Sequence, residues 1–67
     1  MGTYRIAGVR RKREEGKPDI VMADLFDING DLSLSGPLAM VISRCEERGF
    51  NVSNLEQAKA ALERMKG

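Results

Sequence analysis

Oxygen-bearing side chains occupy alternate positions, Asp27, Asn29 and Asp31, in the segment FDINGDLSLS. A twelve-residue calcium loop needs ligands at alternate positions, a glycine at position 6 and a bidentate acid at position 12. Counting from Asp27, the first three ligand positions are filled, but position 6 is Leu32 and position 12 is Leu38. We therefore predict no metal site here, and instead a turn in which Asn and Asp supply backbone-like hydrogen bonds.

The same segment resembles the DxNGDG half-loops of dockerin-type repeats over about nine residues, and the chain holds no second copy. The resemblance implies calcium binding, but the missing bidentate acid removes two ligand oxygens and a charge. A site of this kind would bind calcium weakly, so the turn remains the prediction.

The side chains that most often perform catalysis are scarce in this sequence. It contains no histidine and one cysteine, Cys45. A Ser/His/Asp or Cys/His arrangement, a Cys/His metal cluster and an internal disulfide are therefore all excluded within one chain. Glu46 and Glu47 are adjacent on a predicted helix and diverge, and we expect Cys45 to be a small apolar side chain on a buried helix face. We predict a protein that is not an enzyme and has neither catalytic residues nor a cofactor.

Length and composition favour one small folded domain spanning residues 1–67. Apolar residues make up 42% and charged residues 31% of the chain, which is ordinary for a globular domain. No apolar run reaches the ~18 to 20 residues that span a bilayer, and the N-terminal MGTYRIAGVRRKR has charges where a signal peptide is apolar. We expect a cytoplasmic protein without a membrane partner.

Three segments have the composition of β-strands, at about residues 3–11, 19–28 and 31–35. The first interleaves apolar and basic residues, and Gly8 would suit a β-bulge. The second is apolar enough for a well-buried strand. Asn-Gly between the second and third segments is a strong hairpin signal.

Two registers compete for this hairpin. A two-residue loop, Asn29-Gly30, would pair Phe26 with Ser33 and mix polar with apolar residues on each face. A three-residue loop, with Gly30 left-handed beside a bulge, would pair Phe26 with Leu32. We predict the second register because it gathers four apolar residues on one face: Met22, Phe26, Leu32 and Leu34.

A first helix is predicted over residues 37–48. Proline suits the first helical position, as in Pro37, because its missing N–H would have no partner there. A core stripe recurs at intervals of three and four residues. Gly49 ends the helix, and Phe50 can fold back on the last turn as in a Schellman-type cap. The stripe consists of Leu38, Val41, Ile42 and Cys45.

A second helix is predicted over residues 54–66, because Ser53 and Glu56 have the spacing of a capping box. Its apolar stripe is Leu55, Ala58, Leu62 and Met65. The resulting fold class is α+β: a small three-stranded antiparallel meander (β-β-β) followed by two C-terminal helices packed on one face.

Charge is distributed unevenly along the chain. Residues 4–17 contain six basic and two acidic residues, whereas residues 19–31 contain four aspartates and no base. Basic side chains displace the counterions of a phosphate backbone, and guanidinium can grip phosphate in a fork. We predict a small binding module, with nucleic acid, DNA or RNA, contacted mainly through residues 10–17. The candidate binding residues are Arg5, Arg10, Arg11, Lys12, Arg13 and Lys17.

The two predicted helices are also relevant to nucleic-acid binding. The segment VISRCEERGFNVSNLEQA resembles a helix-turn-helix at four positions. It places Cys45 at a small-residue position and Gly49 at the turn, and the second helix would pack back through Leu55 and Ala58. It departs from that pattern by capping the second helix at Ser53, about two residues late, and by placing Glu56 on the would-be recognition surface. With the strand before it, the segment also resembles ribbon-helix-helix repressors, although that strand offers only serines outward. An ordinary αα-hairpin packed on a small core explains the same pattern.

The alternative function is a protein–protein adaptor or inhibitor that uses the acidic strand and hairpin or an exposed apolar helix face. A chain this small leaves little stability margin, so self-association is also expected to help. In the third strand, the stretch Leu32-Ser33-Leu34-Ser35 carries no charge to discourage edge pairing. Ala39 and Met40 would widen an apolar patch on the first helix. We therefore predict a homodimer through the third strand or the first helix.

Overall fold

The structure, a computed structural model, describes residues 3–65 and contains three strands followed by two helices. The strands form one antiparallel sheet in the order of the sequence, so the predicted α+β meander with two C-terminal helices is confirmed. The elements are β1 (Arg5–Lys12), β2 (Ile20–Phe26), β3 (Leu32–Pro37), α1 (Leu38–Arg48) and α2 (Leu55–Met65).

The three strands and α1 begin and end within two residues of the predicted bounds, and α2 begins one residue after its predicted start. The predicted end of the second helix, residue 66, lies outside the described residues. Pro37 differs from the prediction, because its ψ of 137° is extended and it pairs with Met22 in the sheet. It therefore ends β3, and α1 begins one residue later, at Leu38.

Both helices pack on one face of the sheet and enclose the core with it. On β2, Ala23 and Leu25 point toward the helices and are fully buried. The predicted stripe of α1 is buried as expected, and that of α2 contributes Ala58, with Leu55 and Leu62 packed beside it. The buried residues are Ile6, Ala23, Leu25, Leu38, Val41, Ile42, Cys45, Val52 and Ala58.

The end of α1 has the predicted Schellman geometry. Gly49 has a φ of 67° and its N–H donates to the carbonyl of Glu46, while the Phe50 N–H donates to the carbonyl of Cys45 at 3.0 Å. A glycine suits this left-handed position because it has no Cβ to clash. The Phe50 ring then stacks on Tyr4, with ring centroids 4.3 Å apart. The cap thus ties the helix end to the residue that precedes β1.

The start of α2 differs from the predicted capping box. The backbone N–H of Ser53, which a capping box would offer to Glu56, donates instead to the carbonyl of Tyr4 at 2.9 Å. Asn54, and not Ser53, directly precedes the helix. Tertiary contact with the residue before β1 has therefore replaced the local cap.

The hairpin between β2 and β3 has the predicted register at its turn, because Phe26 pairs with Leu32 and Gly30 has a φ of 84°. The predicted grouping of apolar residues was wrong. A bulge at Ser33 separates this pair from the next one, so Leu34 pairs with Leu25 and faces the helices. The other three members of the predicted group lie on the opposite face: Met22, Phe26 and Leu32.

Candidate functional site

The sheet face away from the helices, called here the uncovered face, is built from alternate residues of all three strands. It mixes apolar and charged side chains, and its apolar members are only half-buried or exposed. Its members are Arg5, Ala7, Arg10, Lys12, Ile20, Met22, Asp24, Phe26, Leu32, Ser35 and Pro37.

A bulge in β1 decides which basic residues reach the uncovered face. The register shifts between Ala7 and Arg10, and Gly8 has a φ of 65°, as suits a bulge. Without the extra residue, strict alternation from Arg5 would place Arg11 on this face. With the extra residue, Arg5, Arg10 and Lys12 share the uncovered face and form a basic row along β1.

The other members of the predicted basic set lie beside this row. Arg11 points toward the helix side, where its guanidinium donates to the carbonyl of Met65 at 3.2 Å. Arg13 and Lys17 belong to the exposed loop between β1 and β2, and Arg13 is 86% exposed. The structure therefore gathers all six predicted residues on one strand and its loop. We call residues 5–26, which comprise β1, this loop and β2, the basic hairpin.

Five of these six basic side chains form ion pairs within the hairpin. The Asp19 carboxylate pairs with Arg11 and Arg13, at 3.9 and 3.6 Å, and the Glu14 carboxylate pairs with Lys12 and Lys17, each at 3.4 Å. Each of these two carboxylates is thus shared between two basic side chains. All these pairs are exposed, and pairs of this kind contribute only about 0.2–1 kcal/mol. A phosphate group could therefore replace a carboxylate here at little cost in stability.

The fifth pair sits in the middle of the uncovered face. Asp24 accepts a hydrogen bond from the Ser35 hydroxyl at 2.6 Å and an ion pair from Arg10 at 3.2 Å. The same guanidinium donates to the carbonyl of Gly8 at 2.6 Å. Asp24 therefore links all three strands and fixes the direction of Arg10. In the sequence, Asp24 is one of the four aspartates of residues 19–31, and its local pattern does not indicate this role.

In the FDINGDLSLS turn, the carboxylate of Asp27 accepts hydrogen bonds from backbone N–H groups. One oxygen of Asp27 accepts the N–H groups of Asn29 and Asp31, at 2.9 and 3.0 Å, and the Gly30 N–H donates to the Asp27 carbonyl. The predicted backbone-like hydrogen bonds are thus present. Within residues 3–65, no three His, Cys, Asp or Glu side chains converge as they would around a metal ion.

The helix pair covers the sheet, and an exposed ion pair joins the two helices. Lys59 on α2 contacts Glu46 on α1 at 2.9 Å, and this hydrogen bond, with the charge of Glu46, raises the pKa of Lys59. Glu56 is exposed, as the sequence indicated for the surface of the second helix. None of the helices in residues 3–65 has the length and apolar character that crossing a bilayer requires.

Two cavities open at the ends of the sheet. The larger, of about 510 Å³, lies between the start of β1 and the β2–β3 turn. The smaller, of about 290 Å³, lies between the end of α2 and the start of β2. Comparison of the chain with models of known protein families, with curated proteins and with solved structures finds no match.

Proposed function

We propose that the protein is a non-enzymatic binding module that contacts nucleic acid through the basic hairpin. What supports this proposal is the concentration of charge on that one unit. The hairpin carries six of the chain's eleven basic residues and four acidic residues, whereas the remainder carries five basic and six acidic residues. Phosphate contacts supply most of the affinity of non-specific nucleic-acid binding.

The ion pairs of the hairpin are compatible with this function. Each of the carboxylates of Glu14 and Asp19 is shared between two bases, so the hairpin keeps a positive excess when every pair is formed. Phosphate oxygens form charge-assisted hydrogen bonds with guanidinium of the same kind as carboxylates. Binding would therefore exchange one set of exposed partners for another.

Paired charge-removing variants test the proposal. Binding of fluorescein-labelled DNA and RNA, single-stranded and duplex, is measured by fluorescence anisotropy at low salt. The double variant Lys12→Gln/Arg13→Gln removes two charges from the hairpin and should weaken binding of every sequence. The matched control, Arg44→Gln/Arg48→Gln, removes two exposed charges from α1 and should weaken binding much less. Equal losses in both variants, or no binding by the wild type, would overturn the proposal.

A second candidate function is protein contact through the outer edge of β3. The edge of β1 is already occupied near its start, where Tyr4 pairs with Val52. The β3 edge carries no charged side chain, and Leu32 on it is 60% exposed. Unpaired edges of this kind accept another strand.

A second copy of this chain is the simplest partner for that edge, as predicted from the sequence. The alternative surface on α1 is smaller than expected, because Met40 is half-buried and lies against Gly36, while Ala39 is exposed. Sedimentation equilibrium at ~100 μM separates the two states, because an association of this kind depends on concentration. A mass near twice 7.4 kDa is expected for the dimer, and the monomer mass of 7.4 kDa throughout would exclude it.

A further inference from the structure

The larger cavity lies at one end of the uncovered face, where the first residues of β1 meet the last residue of β2. Arg5 and Phe26 are cross-strand partners there, and both line the cavity with Tyr4 and Ile28. The volume, about 510 Å³, lies in the range of small-molecule binding clefts. The site is therefore large enough for a planar ring system.

Three apolar residues in or beside this cavity are not part of the core: Phe26 and Ile28, which line it, and Leu32, which pairs with Phe26. Phe26 lies on the uncovered face and is only half-buried, its neighbour across the sheet, Leu32, is 60% exposed, and Ile28 is 67% exposed. Burial of these side chains in the hydrophobic core would have stabilised the fold. A patch of exposed apolar residues on a small soluble domain is typical of a contact surface.

Arg5 supplies the polar part of the site. It is exposed, and it is the one member of the predicted basic set that forms no ion pair with another described residue. A guanidinium beside an aromatic ring can bind a phosphate oxygen or stack on a base. Among the described residues that line the cavity, Asp27 is the one with a carboxylate, and this group already accepts two backbone N–H groups of its turn.

We propose that this cavity binds an unpaired nucleobase, which stacks on Phe26 while its phosphate contacts Arg5. The inference rests on the proposed function and specifies its ligand as a single strand. Charge complementarity supports this occupant, because Arg10 and Lys12 continue the basic row along β1 on the same face. At ~3.3 Å per residue the row extends over roughly 20 Å, which suits the backbone of a short single strand.

The test compares two variants that differ in one property. Phe26→Tyr keeps the aromatic ring, and Phe26→Leu keeps an apolar side chain but loses the ring. Dissociation constants are measured for a single-stranded ten-nucleotide oligothymidine and for a ten-base-pair duplex. Stacking is worth about 1–3 kcal/mol per base, so the leucine variant should bind the single strand about 5- to 150-fold more weakly. The tyrosine variant should bind the single strand as the wild type does, and duplex binding should be unchanged in both.

A second measurement uses the wild-type protein and so does not depend on how the variants fold. Titration with oligothymidine should move the ring proton resonances of Phe26 upfield, because these protons then lie in the shielding region above or below the stacked base. Nucleic-acid binding without any change at Phe26, and with equal affinity in the leucine variant, would overturn the stacking site but leave the proposed function standing. Failure of the wild type to bind any nucleic acid would overturn both.

Discussion

The side-chain amide of Asn54 hydrogen-bonds to both backbone groups of Ile6. The Ile6 N–H donates to the Asn54 carbonyl oxygen at 2.9 Å, and the Asn54 NH₂ donates to the Ile6 carbonyl at 2.7 Å. The amide thus takes the place of a neighbouring strand along the outer edge of β1. Together with the Tyr4–Val52 pairing, it closes the start of that edge and joins the beginning of α2 to the sheet.

Removal of this side chain should destabilise the fold. Asn54→Ala leaves the N–H and the carbonyl of the buried Ile6 without their partner, so the free energy of unfolding should fall by about 1–3 kcal/mol. The control is Asn51→Ala, at an exposed position of the same segment, with an expected change within about 0.5 kcal/mol. Urea unfolding followed by circular dichroism measures both. Equal effects would mean that the Asn54 amide contributes nothing specific.

Substitution of the glycine in the β2–β3 turn by a residue with a side chain should destabilise the fold. Gly30 has a φ of 84° and open space around it, so the penalty of Gly30→Ala comes from backbone strain and not from a clash. We expect a loss of roughly 1 kcal/mol or more. Gly30→Asn should cost less, because asparagine tolerates the left-handed conformation better than alanine. Thermal denaturation of the two variants would contradict this account if alanine were the milder change.

Cys45 should be unreactive in the folded protein. The thiol is buried in the core, and its burial, with the nearby charge of Glu46, raises its pKa above the ordinary value of 9.0. The thiolate is the reactive form, so modification by a maleimide at pH 8 should be slow in buffer and fast in denaturant. Fast labelling of the folded protein would show that the α1 stripe is not packed as described.

The raised pKa also predicts how stability changes with pH. The folded protein holds the thiol proton more tightly than the unfolded chain. The stabilisation that comes from this difference is complete below the pKa of the thiol in the unfolded chain. It is lost as pH rises through the folded pKa, and the free energy of unfolding should therefore fall above about pH 9. Cys45→Ala should remove that part of the decline while lowering stability at every pH, since it leaves a small cavity.

Carboxylates that pair with the basic hairpin should oppose nucleic-acid binding. Asp19→Asn removes a negative charge shared by Arg11 and Arg13. Two unit charges ~4 Å apart interact with about 1 kcal/mol in water, so affinity at low salt should rise by up to about fivefold. Glu47→Gln on α1 makes the same change in net charge away from the hairpin and should have a smaller effect. Anisotropy titrations that give weaker binding for Asp19→Asn would contradict the proposed contact surface.

Element order and the helix stripes follow from local patterns in the sequence. Three predictions are confirmed: the stripe of α1, the cap at Gly49 and the Phe26–Leu32 pair. They could be made from the sequence because each depends on residues that are close together in the chain. The direction in which each strand residue faces depends on bulges. Gly8 indicated the bulge in β1, whereas Ser33 gave no sequence signal of the bulge in β3. The bulge beside Gly8 moved Arg10 to the uncovered face, and the bulge at Ser33 separated Leu32 from Leu34.

Contacts between residues far apart in the sequence were not predictable in the same way. Asn54 has the side chain of a helix cap, and its role at Ile6 requires that β1 and the start of α2 be adjacent in space. The ion pairs of Asp19 likewise depend on the pairing of β1 with β2. The candidate residues were therefore identified by charge, but their neutralising partners were found only in the fold.

The central claim, that the basic hairpin binds a phosphate backbone, is tested most directly by the salt dependence of binding. The wild-type protein is titrated against labelled single-stranded and duplex DNA and RNA at several salt concentrations. With about four phosphate contacts, the logarithm of the association constant should fall against the logarithm of salt concentration with a slope near −3 to −4. A protein that binds none of these nucleic acids at low salt, or binds with a slope near zero, would contradict the account.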